Sequence, residues 1–357
     1  MGVFYVLLFA PIIMQHFVVK KTYIDYETKN KNALAFFFCF LTLLIMLRHE
    51  SIGNDTRNYI HFFKQFSVTD WKNVEKYNFE IGYSYFSKII SVFTKNPQIF
   101  LSVTAIVTMG MIYPTYKRLC LDSSLTIVLF CTMPTFVMLF SGIRQMLALG
   151  IGFLAYEVTR NKKWNLFILI VCLAITFHTS AFMLAFMYPL YHAKITKKWL
   201  LILIPLLGTV FIFNERIFSF LLLILSRFTE YEGVITSTGA YTMLVLFVIF
   251  VIFSFVILDE SVVDKETNGL RNFLLFSCVI QFFAPLHAWA MRMSYYYIIF
   301  VPLLIPKILS YSSARWKSIG ILGRYVMLLF FFVYFFINAN GEVDLNVFPY
   351  RFFWEAV

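Results

Sequence analysis

Charge is what this chain has least of. Asp, Glu, Lys and Arg make up 14% of its residues, against about a quarter in an ordinary soluble domain. Hydrophobic residues make up 60%, more than soluble packing absorbs, so lipid must be the solvent. The five cysteines, Cys39, Cys120, Cys131, Cys172 and Cys278, lie in or beside apolar stretches and form no CxxC pair. That argues against a disulfide framework or a zinc site. There is no P-loop, which removes ATP hydrolysis, and neither HExxH nor GxSxG occurs. No DxD pair is present to hold a divalent metal for a nucleotide sugar. No metal or cofactor is expected, and a donor activated by a lipid-linked phosphate is the more natural one. Internal repeats are missing too. The first segment, Met1 to Val19, lacks a charged n-region and a small-residue cleavage site, so it reads as a retained span rather than a signal peptide.

What is there is a series of apolar stretches. A helix needs about 20 residues to cross a bilayer, with a range of roughly 17 to 25. The expected spans are 2–19, 32–48, 98–116, 123–141, 143–159, 164–178, 179–192, 199–213, 240–258, 270–288, 293–309 and 319–337. The pair 164–178 and 179–192 is short and nearly contiguous, so one member is tilted or re-entrant. The chain is thus expected to be one all-α integral membrane domain over 1–357, a bundle of about 12 spans.

The formal charge is +11. No basic domain stands clear of the spans, so nucleic acid is not an expected partner. The basic residues instead mark alternate loops: Lys20, Lys21, Lys29 and Lys31; Lys117 and Arg118; Arg160, Lys162 and Lys163; Lys194, Lys197 and Lys198; Lys265 and Arg271; Lys307, Arg315 and Lys317. The positive-inside bias makes these loops cytoplasmic and puts both termini outside.

Two outer segments are longer, 49–97 and 214–239. Within the first, Ile81 to Phe93 is apolar but too short to span and is expected to lie in the interface or re-enter. Within the second, Ile217 to Leu225, between Arg216 and Arg227, reads the same way. The tail ends in Phe348-Pro349-Tyr350-Arg351-Phe352-Phe353-Trp354, an aromatic belt with one arginine.

Four polar constellations interrupt this apolar background, all on the outer side. The first runs from Arg48-His49-Glu50 through Gly53-Asn54-Asp55 to Arg57 and Tyr59. Asp55 between Arg48 and Arg57 would stay ionised and orient the guanidinium groups, or it caps the helix starting near Thr56. The second is Ser141-Gly142-Ile143-Arg144-Gln145. An arginine at this depth costs several kcal/mol, roughly 2.5–3.5 at a helix centre, without an anion or a wet cavity. It either contacts substrate or snorkels to the headgroups. Gln145 suits sugar hydroxyls. The third is His178-Thr179-Ser180; an imidazole suits proton transfer near neutral pH, though a lone histidine can also be a satisfied core residue. The fourth is His287-Ala288-Trp289-Ala290-Met291-Arg292, where Trp289 is a stacking platform or an interface anchor. Arg216, Arg227 and Arg351 fit the same electrostatic face more weakly. Arginines on the outer side, with an acid and a histidine, match a lipid diphosphate better than a small cation.

At these residues the chain resembles the EpsG family of bacterial polysaccharide polymerases, related in role to Wzy-type O-antigen polymerases. The likeness rests on Gly53-Asn54-Asp55 with Tyr59, on Glu80 followed by Gly82-Tyr83, on Ile143-Arg144-Gln145 before Ala148, on His178-Thr179-Ser180 and on Pro349-Tyr350-Arg351-Phe352. It implies a protein of the bacterial cytoplasmic membrane that joins undecaprenyl-diphosphate-linked repeat units at the outer face without a metal. It points to Asp55, Arg57, Arg144, Gln145 and His178 as functional positions, and chain-length regulators would be natural partners. On this reading Arg144, helped by Arg57 and Arg292, stabilises the leaving diphosphate, and His178 or Asp55 is the base. Arg48, Tyr59, Gln145, His287, Trp289, Arg292 and Arg351 contact substrate. The rivals are a flippase for the lipid-linked oligosaccharide and an O-antigen-ligase-like glycosyltransferase.

Overall fold

The computed structural model describes residues 1–16, 25–224, 238–258, 260–261, 263–315, 317–339 and 345–355. Lys20, Lys21, Leu225 and Arg227 lie outside the described residues. Regular structure among the described residues is helical, with a single β-bridge between Arg48 and Phe352.

In chain order, α1 (Gly2–His16) and α2 (Tyr26–Leu47) lead to the long segment 49–97. That segment holds α3 (Thr56–Val68), a 3-10 stretch (Trp71–Tyr77) and α4 (Ile81–Phe93). There follow α5 (Pro97–Leu119), α6 (Ser123–Thr132), α7 (Pro134–Ser141), α8 (Ile143–Arg160) and α9 (Trp164–Phe177). A second 3-10 stretch (Thr179–Phe186) runs into α10 (Met187–His192). The rest is α11 (Lys197–Ile212), α12 (Asn214–Ile224), α13 (Thr238–Val256), α14 (Lys265–Gln281), α15 (Ala288–Ile298), α16 (Val301–Arg315) and α17 (Lys317–Ala339).

Local chemistry sets several of these boundaries. Side chains of Asp25, Asn96, Asp122 and Asp264 each accept a hydrogen bond from a backbone N–H in the first turn of α2, α5, α6 and α14. These bonds satisfy donors that the helix itself leaves orphaned. Pro97 opens α5 and Pro134 opens α7, where a missing N–H costs nothing.

Three helices are long and apolar enough to cross a bilayer by length and composition: Tyr26–Leu47, Pro97–Leu119 and Gly320–Ala339. The number rises to six if each of three bent pairs is one span. The expectation of twelve is therefore not met on this measure, for identifiable reasons. The expected span 123–141 breaks at Met133-Pro134 into α6 and α7, bent by 65°, because Pro134 has no N–H for the helical ladder and its ring crowds the carbonyl four residues earlier. The expected span 293–309 is likewise two helices, α15 and α16, bent by 47°. The α9 helix stops after 14 residues, and the chain turns at His178 into a 3-10 stretch that packs back against it. The α8 helix is 18 residues long but carries Arg144, Glu157 and Arg160.

The outward faces are what lipid requires. Leu169, Leu173, Leu201, Ile212, Leu322, Leu329 and Ile337 are exposed hydrophobics on α9, α11 and α17. A soluble surface does not carry so continuous an apolar belt. The centre is filled by rings: Tyr156 packs on Phe300 at 4.9 Å between centroids, and Phe153 on the same ring at 4.8 Å.

The buried helix α8 gives the bundle its two ends. It spans about 27 Å at 1.5 Å per residue. Arg160 at its C-terminal end joins a network in which Arg118 bonds Glu157 at 2.8 Å and Glu266 at 2.9 Å, while Arg160 reaches Glu266 at 2.7 Å. Lys307 pairs with Asp264 at 2.9 Å, and Arg271 bonds the Ile195 carbonyl at 2.8 Å. Five loops that the basic residues assign to one side thus meet at one end. Arg144 stands at the other.

Candidate active site

The polar residues at the Arg144 end are assembled by four separate parts of the chain, and a carboxylate joins them. Glu80 precedes α4. Its backbone is extended, and its side chain makes no capping bond to its own helix. The chain reaches it through Asn78, which ends the 3-10 stretch in the left-handed region at φ 55°, a conformation asparagine tolerates. The α4 helix then lies close against α9, because position 82 has no side chain. A Cβ on Gly82 would stand 2.3 Å from Thr176 Oγ1 and 2.8 Å from the Thr176 carbonyl oxygen. This close approach sets Glu80 beside the turn at the end of α9.

There Glu80 Oε1 pairs with His178 Nδ1 at 3.0 Å and accepts from the Thr179 backbone N–H at 3.1 Å and the Thr179 hydroxyl at 3.3 Å. Its other oxygen forms an ion pair with Arg144 Nη1. Burial by itself would raise the Glu80 pKa. The His178 hydrogen bond and the Arg144 charge outweigh it and hold the carboxyl at about 2, below its ordinary 4.5.

Arg144 occupies the first turn of α8. Its Nε donates to Tyr59 Oη at 3.5 Å, and its guanidinium lies 4.7 Å from the Phe79 ring centroid. Tyr59 comes from α3 and is buried, packed edge-on to Tyr83. Burial raises its phenol pKa, with Arg144 opposing. Gln145, the next residue, is buried and donates through Nε2 to the Arg292 carbonyl at 2.8 Å. Ser180 Oγ bonds Tyr296 Oη at 3.0 Å. Helix α15 is thereby fastened to both the arginine turn and the histidine turn, and Arg292 is exposed.

Asp55 lies close by but has a different partner from the one expected. It forms no ion pair with Arg48 or Arg57 among the described residues, and it does not cap α3 through its side chain. Ser141 holds it instead: the Ser141 hydroxyl accepts from the Asp55 N–H at 3.3 Å and lies 3.5 Å from Asp55 Oδ2. Gly53 permits this docking. Its φ is 83°, and a Cβ there would stand 2.2 Å from the Phe140 carbonyl oxygen.

Other expected contacts fall into structural positions. Arg48 is fully buried and donates to the Ile45 carbonyl at 2.5 Å. It closes the end of α2 and is not open to a bulky substrate. Gln145 is a buried tether and does not face solvent. His287 caps α15 by accepting from the Trp289 N–H at 3.0 Å, and its ring lies against Phe218. Trp289 is half-buried in the first turn of that helix. Arg57 is exposed and pairs with Glu50 at 3.8 Å. The Arg351 carbonyl accepts from the His49 N–H at 2.9 Å, so the tail lies against the Arg48–Asp55 loop. Arg216 lies over Phe213 at the turn between α11 and α12. The residue that sequence reasoning did not place in the site is Glu80. The available signal was an acid isolated in an aromatic stretch, Tyr77-Asn78-Phe79-Glu80, directly before an apolar helix.

The arrangement can orient an imidazole and hold a guanidinium. Among comparisons with known proteins, the model of the EpsG family matches residues 31–352. No curated protein and no solved structure matches the chain.

Proposed function

The chain belongs to the EpsG family, and we propose that it joins oligosaccharide repeat units carried on undecaprenyl diphosphate into a surface polysaccharide. The reaction takes place at the outer face of the bacterial cytoplasmic membrane, with the Arg144 end of the bundle outward. The chain crosses the bilayer twelve times, its shorter and bent helices counted, because its loops alternate between the two ends.

The observation that carries this reading is the Glu80 carboxylate shared by His178 and Arg144. In the tautomer that donates Nδ1–H to Glu80, the imidazole presents Nε2 as an acceptor. Nε2 takes the proton of the acceptor sugar hydroxyl as that oxygen bonds to the anomeric carbon of the donor. The bond from that carbon to the diphosphate oxygen breaks, and the diphosphate leaves with the electron pair. Arg144, held by Glu80 and Tyr59, and the exposed Arg292 stabilise the charge that develops on it. His178 is favoured over Asp55 as the base because it has an orienting carboxylate, whereas Asp55 has only Ser141. Chain-length regulators are natural partners for such an enzyme.

The test is complementation of a deletion strain. The wild-type chain restores a ladder of polymer lengths. Arg144→Ala and His178→Ala leave single lipid-linked units at the outer face. Accumulation of units at the inner face in the deletion strain would instead identify a flippase. Loss of transfer of finished polymer, with its length normal, would identify a ligase.

A further inference from the structure

Arg48 is a buried cation, among the described residues, to which the catalytic reading gives no role. Arg48 is wholly buried at the end of α2, and its Nη1 serves the Ile45 carbonyl. Its Nε and Nη2 have no hydrogen-bond partner among the described residues, and no carboxylate pairs with it there. Asp55, the nearest acid in sequence apart from Glu50, is held by Ser141, and Glu50 faces Arg57 at 3.8 Å. The carbonyl end of α2 carries roughly half a negative charge, but its last four carbonyls are already taken. Leu44 accepts from Tyr350 Oη, Ile45 from Arg48, Met46 from Gln98 and Leu47 from the Phe353 N–H. An unpaired buried charge of this kind is costly enough that proteins compensate it.

Arg48 also forms part of the wall of a cavity shared with Thr104, Thr108, Leu139, Ile143 and Met146. Ile143 and Met146 belong to the same stretch of α8 as Arg144, so the cavity lies directly behind the candidate active site. Apart from Arg48 and the two threonines, the lining is apolar. A phosphate or sulfate would bring several oxygens that each need a donor, and this wall cannot supply them. A halide needs one edge of charged N–H groups and tolerates apolar contact elsewhere.

We infer that the cavity behind Arg48 is a binding site for a single halide ion, chloride under physiological conditions, held by Arg48 Nε and Nη2. The ion neutralises the buried guanidinium and fixes the junction of α2, α5 and α8 on which Arg144 stands. This inference does not depend on the polymerase reading.

The experiment uses the full-length protein in detergent. Chloride or bromide replaces gluconate at constant ionic strength while Tm is followed, and bromide-grown crystals are measured at the bromine absorption edge. The expected result is a saturable rise in Tm with either halide, absent in Arg48→Met, and one anomalous peak within hydrogen-bond distance of Arg48. An unsaturated or Arg48-independent halide effect, or no anomalous peak in the cavity, overturns the assignment. The crystal arm uses the wild-type chain, so it decides the matter even if Arg48→Met does not fold.

Discussion

At the scale of single residues, Glu80 links two groups that act in different ways. Through Oε1 it orients His178, and through the other oxygen it fixes Arg144. Its folded-state pKa lies below the ordinary one, so the stabilisation it confers is fully present above pH 4.5. That stabilisation is lost as the pH falls through about 2. The Tm gap between wild type and Glu80→Gln should narrow as the pH falls from 4.5 toward 2. A gap that instead grows over that interval would contradict the assignment. The same substitution keeps hydrogen-bonding atoms but removes the charge that pairs with Arg144. It should lower polymerisation while leaving the fold intact, and His178→Ala should cost about 10²–10⁴-fold, the range of a lost general base.

At the scale of elements, two contacts keep the site together. The first is α4 against α9. Gly82→Ala drives a methyl toward the Thr176 carbonyl. It should cost about 1–3 kcal/mol, as overpacking does, and it should reduce polymer length as strongly as Glu80→Gln does. Thermal unfolding and the polysaccharide ladder measure the two effects. The second is the tail against α2. Tyr350→Phe removes the hydroxyl that caps the Leu44 carbonyl at 2.6 Å. It should lower stability by about 1 kcal/mol, the typical worth of one such bond. These elements were legible in the sequence to different degrees. The segment Ile81–Phe93 was read with its bounds intact, because a 13-residue apolar run cannot span a bilayer and still needs an apolar surface to lie on. The break at Met133-Pro134 was missed because both halves are continuously apolar, and periodicity alone cannot show a bend. Glu80 counted toward the family likeness, but its site role was missed because that role arises from a partner 98 residues away. A carboxylate before a helix reads locally as a cap.

At the scale of the whole molecule, opposite ends of α8 carry opposite tasks. Arg118, Glu157, Arg160 and Glu266 tie α5, α8 and α14 together at one end, and the Glu80 cluster occupies the other. The side shared by the five basic loops that meet at one end of α8 was legible in the sequence, since charge bias survives in short loops. The convergence of the polar residues at the Arg144 end onto one carboxylate was not, since it depends on long-range packing. With the native cysteines replaced, an impermeant maleimide applied to intact cells should label Asn58→Cys. It should reach Lys117→Cys only after the membrane is opened. Labelling of both from outside would dismiss the two-ended account. The central claim is that Glu80, His178 and Arg144 form one catalytic unit for glycosyl transfer from a lipid diphosphate. Reconstitution with purified lipid-linked repeat units tests it most directly. Wild-type protein should release undecaprenyl diphosphate and produce lengthened lipid-linked chains, while Arg144→Ala and His178→Ala yield neither. Normal elongation by both folded variants would contradict it.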